Sequence, residues 1–274
     1  MKNLIVYYFL DQKILHKNAS RKQLASREHN QQLVRNYIKF QIDISLLFNW
    51  NKKDILILSN EDIGYRGIKS IIFENRNFFE KPFIYKPLGL IYAFEKLKIK
   101  ENIWYHDWDL FQIENLNYSF PENKDIGVYY GVYYNRIRRP NGGILFAKPS
   151  SVDFLKKLAN RQINKETWSD DEHIITELVN ENPDRVDKIN DTYNIGMVAR
   201  NHRVLKAEKP LKCMHFRPNK KWKIKRMLPF IIEQAKHNEN TKKALQIFVN
   251  FMKQYKNLKN LNDEKIVQDL KEYL

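Results

Sequence analysis

Asp107 and Asp109 stand one residue apart in Tyr105-His106-Asp107-Trp108-Asp109, after Ile103-Trp104-Tyr105, which reads as a short buried strand. Strand side chains alternate faces, so residues two apart point the same way. Carboxylates sharing a side repel each other, and a divalent cation relieves that repulsion. Oxygen ligands suit hard ions such as Mg²⁺ or Mn²⁺, with phosphate oxygens able to complete the shell. An exposed, solvated strand end is the competing reading of the same residues.

Three other stretches carry residues of chemical interest. Arg139-Pro140-Asn141-Gly142-Gly143-Ile144-Leu145-Phe146 reads as a glycine turn feeding a buried strand. Glycines let a backbone approach a ligand closely, although a plain tight turn is the commoner reason for such a pair. Trp168-Ser169-Asp170-Asp171-Glu172-His173 gathers carboxylates at a helix start. Capping and the helix dipole explain that cluster as well as a catalytic or sugar-binding role does. Cys213-Met214-His215-Phe216-Arg217-Pro218-Asn219-Lys220-Lys221-Trp222 offers an imidazole for a metal and lysines for phosphate. A lone histidine is more often a satisfied structural group. The stretch is no zinc site, because a second Cys/His pair is lacking.

The surrounding pattern supplies elements to position these residues. A strand near 3–10 precedes a helix over 20–49, where Leu24, Leu33, Ile38, Ile42, Leu46 and Leu47 fall at helical spacings. Asp54 to Ser59 and Ile68 to Phe73 read as strands, and Pro87 opens a helix through Leu97. The acid-bearing strand follows directly. Ile126 to Tyr134 and Gly143 to Ala147 are β-rich, and Val152 to Arg161 and Asp171 to Asn180 are helical, the latter capped by Ser169 or Asp170. This alternation predicts an α/β domain with a mostly parallel central sheet flanked by helices. Such sheets bind ligands beyond the carboxyl ends of their strands, where the acids lie. From Lys225 the pattern turns wholly helical, over about 225–237, 240–256 and 262–273, giving a 1–224 domain and a small 225–274 helical appendage.

Composition bounds the rest. The chain has 274 residues, 43% of them hydrophobic and 13% aromatic, which describes a globular protein and not a disordered one. No apolar run approaches the ~20 residues of a membrane span. Met1 to Leu10 reads as a core strand and not as a signal peptide. The single cysteine, Cys213, excludes an internal disulfide and fits a reducing cytosol. A net charge of +16 attracts polyanions: nucleic acid, an anionic membrane surface or phosphorylated ligands. A solvated basic surface without a dedicated partner is the alternative.

In this order the motifs resemble those of GT-A nucleotide-sugar glycosyltransferases, most nearly the retaining glycogenin-like and lipopolysaccharide-galactosyltransferase-like group. Asp107-Trp108-Asp109 is similar to the family's Asp-x-Asp strand end, and Asn141-Gly142-Gly143-Ile144-Leu145 to its Asn-x-Gly strand. Ser169-Asp170-Asp171-Glu172 loosely resembles its acidic Asp-Gln helix start. His215-Phe216-Arg217-Pro218-Asn219-Lys220-Lys221-Trp222 resembles its His-Phe-x-Gly-x-x-Lys-Pro-Trp motif. The resemblance spans about residues 3–224. Pro218 stands where the family has Gly, the Pro before Trp is missing, and Glu172 replaces the usual Gln.

The resemblance implies a GT-A (Rossmann-like) fold and a nucleotide-sugar donor, expected to be a UDP-sugar. Asp107 would face the ribose and metal, with Asp109 and His215 as direct ligands of Mn²⁺ or Mg²⁺. Lys220 or Lys221 would neutralise the departing diphosphate, and Lys86 is similar in place to a basic donor contact. Asn141, Gly142 and Gly143 would lie against the donor, with Asn141 and the Asp170/Asp171 pair holding the sugar hydroxyls. Retention of configuration is the expectation. An inverting enzyme would instead use one of the two acids as base.

Charge points to the acceptor. Arg136, Arg138 and Arg139 precede the Asn141-Gly142-Gly143 segment, with Tyr129, Tyr130, Tyr133 and Tyr134 nearby. From Arg203 to Arg226 cations abound and Glu208 is the only acid. Basic residues interleaved with aromatics suit a phosphate backbone with exposed bases. DNA carrying hydroxymethylated pyrimidines is the expected acceptor, as in phage genome glucosylation, with the protein in the cytoplasm of the host. The alternative is a transferase building a cell-surface or lipid-linked glycan, peripheral to an anionic membrane through the basic amphipathic stretch Lys225 to Lys236. A non-catalytic nucleic-acid-binding module on the same scaffold is a third reading, disfavoured because Asp107, Asp109 and His215 are all present.

Overall fold

The computed structural model describes residues 1–7, 9, 21–74, 84–133, 136–164, 171–195, 207–215, 221–254 and 264–273. Its first half runs β1 (Lys2–Tyr7), α1 (Arg21–Leu47), β2 (Ile55–Ser59), β3 (Ile71–Ile72), α2 (Tyr85–Glu95), β4 (Ile103–His106) and β5 (Leu110–Gln112). There follow β6 (Ile126–Tyr133), β7 (Arg136–Ala147), α3 (Val152–Asn164), α4 (Asp171–Glu181), β8 (Val186–Ile189) and β9 (Cys213–His215). Three helices end the chain: α5 (Lys221–His237), α6 (Glu239–Gln254) and α7 (Glu264–Lys271).

Among the described residues the main sheet has the order β3-β2-β1-β4-β7-β6-β8. All its strand pairs are parallel except those that β7 makes with β4 and β6. Alternation along β1 explains the layering. Leu4 and Val6 join Leu90, Phe94, Leu155 and Leu178 from α2, α3 and α4, while Ile5 joins Val34, Ile38 and Ile42 from α1 on the opposite face. Strand order reverses between β1 and β4, so the crevice beyond their carboxyl ends is the topological switch point where such sheets bind ligands.

Two local outcomes differ from the sequence expectation. The third strand pairs only through Ile71 and Ile72, and Ile68 instead bridges back to Tyr65. Pro140-Asn141-Gly142-Gly143 is not a turn before a strand; it lies inside β7. Val128 faces Leu145 and Tyr129 faces Asn141, so β7 advances four residues while β6 advances one. The excess bulges towards β4, which is how a bulge re-aims a strand beside a site.

The apolar stripes of the C-terminal helices face a shared core. Leu228, Ile231, Leu245, Phe248 and Met252 cluster with Tyr37 and Phe40 of α1, Phe111 of β5 and Met214 of β9. Phe248 stacks on Phe111 with ring centroids 4.9 Å apart. No helix among the described residues is long and apolar enough to cross a membrane.

Candidate metal centre

β4 ends at His106, and Asp107 begins the turn into β5. Several groups fix that turn. The backbone N–H of Asp107 donates to the carbonyl of Gly143 in the β7 bulge at 2.8 Å. Gln41 of α1, itself buried, donates through Nε2 to the carbonyls of Trp108 (2.8 Å) and Leu110 (2.5 Å). The Asp107 carboxylate accepts from Tyr105 Oη at 2.7 Å and from the buried Lys86 ammonium at 3.3 Å. Lys86 also donates to the Gly142 carbonyl at 3.3 Å. It reaches there because α2 sits hard against β1: a Cβ on Gly89 would lie 2.5 Å from Val6 Cγ2.

His215 arrives from more than a hundred residues away, by pairing of β9 with β5. Leu110 faces His215 across this antiparallel pair, which sets the ring beside Asp109. Nε2 of His215 lies 3.0 Å from Asp109 Oδ1. Ligand atoms of Asp107, Asp109 and His215 all fall within 4.8 Å of one another. Asp109 and His215 are buried, and Asp107 is half-buried at the open side. Among the described residues, the Lys86 ammonium pairs with Asp107, 3.3 Å from its Oδ2. Two hard oxygen donors and one imidazole fit a divalent ion such as Mn²⁺ or Mg²⁺.

Around the acids and the imidazole lies a polar network. Asn141 Oδ1 accepts from the Gly143 N–H (3.0 Å) and from Asn194 Nδ2 (3.1 Å), while Asn141 Nδ2 donates to Glu172 Oε1 (2.7 Å). Asn194 Oδ1 stands 3.2 Å from His215 Nδ1. Beneath the acids, His106 is fully buried with Asn3 Oδ1 and the Asp107 carbonyl each 2.9 Å from a ring nitrogen. Burial pushes the imidazole down to about 4, and the hydrogen bond to the Asp107 backbone and the Asp107 charge only partly offset it. His106 lies wholly inside the protein, tied to Asn3 and to the Asp107 carbonyl, and serves as a structural group.

Of the sequence-derived site residues, Lys86, Asp107, Asp109, Asn141, Gly142, Gly143 and His215 converge here. Asp171 and Lys221 are the first residues of α4 and α5, and Asp170 and Lys220 lie outside the described residues. Tyr105, Gln41 and Asn194 were not anticipated. Only Tyr105 had a signal, two residues before Asp107 and so on the same strand face. Of the aromatics assigned to acceptor stacking, Tyr129 and Tyr130 are buried in the sheet, while Tyr134 lies outside the described residues. Alternation along β6 turns Tyr130 into the core shared with Leu155 and Leu178 of α3 and α4, and Tyr129 into the opposite cluster with Trp104, Phe146 and Ile189, which is why they are covered.

No family model matches the chain, and no curated protein matches it in sequence. Solved structures do match in shape. Galactosyltransferase LgtC, in complex with donor and acceptor sugar analogues, superposes with a TM-score of 0.52 at 10% identity, covering 79% of this chain and 87% of that one. An active-site mutant of LgtC gives 0.51 at 12% identity, with the same coverage of 79% and 87%. A glycosyltransferase involved in glycosylation of the major capsid of PBCV-1 gives 0.48 at 10% identity, covering 79% and 93%. At such identities the likeness establishes architecture: a mixed α/β fold of the GT-A, Rossmann-like type.

Proposed function

We propose that this chain is a metal-dependent glycosyltransferase that moves a sugar from a UDP-sugar to an acceptor hydroxyl. The observation that carries this reading is the convergence of Asp107, Asp109 and His215 at the carboxyl end of β4, on a GT-A-type fold. Asp109 and His215, with Asp107 beside them, would hold Mn²⁺ or Mg²⁺. Such an ion supplies charge stabilisation for a departing diphosphate. Lys86 adds a fixed positive charge next to Asp107. Lys220 and Lys221 are assigned to the same leaving group, and Asn141 with Asp170 and Asp171 to the donor sugar. The motif resemblance favours retention over inversion.

For the acceptor, the +16 charge supports DNA carrying hydroxymethylated pyrimidines. Burial of Tyr129 and Tyr130 removes two of the rings that would stack on exposed bases. That favours keeping a second reading, a cell-surface or lipid-linked glycan at an anionic membrane. The test is a nucleotide-sugar panel with Mn²⁺, scoring donor hydrolysis first and then transfer to hydroxymethylated DNA. Salt-sensitive binding to duplex DNA, compared with anionic vesicles, separates the acceptors; no DNA affinity at low salt removes the first.

A further inference from the structure

Hydrogen-bond polarity can be followed from one backbone amide to the metal centre. The Gly143 N–H is a donor by its chemistry and lies 3.0 Å from one atom of the Asn141 side-chain amide, which must be the oxygen. Nδ2 of Asn141 then points to the Glu172 carboxylate, an acceptor, at 2.7 Å. The same Asn141 oxygen stands 3.1 Å from Asn194, so the Asn194 atom facing it must be the donor, Nδ2. Oδ1 of Asn194 is left facing His215 Nδ1 at 3.2 Å, and an acceptor there requires Nδ1 to carry hydrogen. In a neutral ring Nε2 is then a lone pair, turned to Asp109 Oδ1 at 3.0 Å. Lone pairs so placed repel unless a proton or a metal ion is held there, and the Nδ1–H assignment stands in either case.

From this we infer that Asn194 is a positioning residue for the metal centre: its carbonyl holds the Nδ1–H of His215 and so presents Nε2 to the ion. The inference rests on the metal reading above and adds a residue to it. Asn194 is 1% exposed and His215 2%, so neither group exchanges its partner for water. The backbone fixes Asn194 against β9. Ile195 N–H donates to Cys213 O at 3.2 Å, and His215 N–H donates to Ile195 O at 2.7 Å. Gly143 closes the other side of the ring, since a Cβ there would stand 2.5 Å from His215 Cε1. Metal-bound histidines commonly have the far ring nitrogen held in this way, and removing the partner weakens the metal about ten- to a hundred-fold.

The experiment combines Mn²⁺ titration, read by the electron spin resonance of free Mn²⁺, with ¹⁵N NMR of histidine-labelled protein. Asn194→Ala should bind Mn²⁺ about ten- to a hundred-fold more weakly than wild type. Its thermal melt without metal should still show a folded protein. In the wild type, Nδ1 of His215 should be protonated both without metal and with saturating Mg²⁺. Equal Mn²⁺ affinity in a folded Asn194→Ala overturns the inference, and so does a bare Nδ1 in the metal-free wild type. That second measurement decides the matter even where the variant does not fold. A wild type that takes no Mn²⁺ would instead overturn the metal reading, and the metal-free spectrum would still test the hydrogen-bond polarity.

Discussion

Gly143 and His215 touch so closely that a methyl group on Gly143 would lie 2.5 Å from the imidazole Cε1 and 2.7 Å from Asn141 Oδ1. The constraint is space, in a bulge that also lends its carbonyls to Asp107 and Lys86. Gly143→Ala should therefore fold, at a cost of about 1–3 kcal/mol for overpacking. It should also lose most Mn²⁺ affinity, because the ring and the Asn141 amide must shift from their present places. Denaturant unfolding and a Mn²⁺ titration check both parts. Unchanged Mn²⁺ affinity would show that the ring position does not matter to the centre.

Phe248 of α6 is fully buried, 4.9 Å from Phe111 of β5 and 6.3 Å from Phe40 of α1. Phe248→Ala should cost about 3–5 kcal/mol. Because β5 carries the chain on from Asp109, the loss should appear in a single unfolding transition. Urea unfolding followed by fluorescence tests this. A separate early transition, with the remainder as stable as before, would show that the C-terminal helices unfold by themselves.

His106 predicts an acid dependence of stability. Its folded value, about 4, lies below the ordinary 6.5, so between those values the unfolded chain binds a proton that the folded one refuses. Stability from this group is complete above pH ~6.5, declines as pH falls, and is gone below ~4, a loss of roughly 3 kcal/mol. Unfolding measured between those limits in wild type and His106→Gln should show a shallower slope in the variant. Parallel slopes would assign the acid sensitivity to other groups.

The sequence made some parts of this centre legible and left others hidden, for physical reasons. Asp107 and Asp109 were visible because the apolar run, the acids and their two-residue spacing are all local. The long helix α1 was visible through its apolar period. The β7 bulge was hidden because Asn-Gly-Gly is also the chemistry of a turn, and only pairing with β4 and β6 decides between them. Pairing of β5 with β9 involves three residues on each side, separated by about a hundred in the chain, and leaves no periodic trace. Asn194 had no signal, since its role depends wholly on what Asn141 and His215 present to it.

The central claim is tested most directly by Mn²⁺-dependent turnover of nucleotide sugars in wild type and Asp109→Ala. A panel of UDP- and other nucleoside-diphosphate sugars is incubated with and without Mn²⁺, and release of the nucleoside diphosphate is measured. The expected result is donor hydrolysis by the wild type that needs the ion. In Asp109→Ala, hydrolysis should fall to background while the circular dichroism spectrum and melt stay those of a folded protein. A well-folded Asp109→Ala that turns over donor like wild type, or turnover indifferent to metal, would contradict the account.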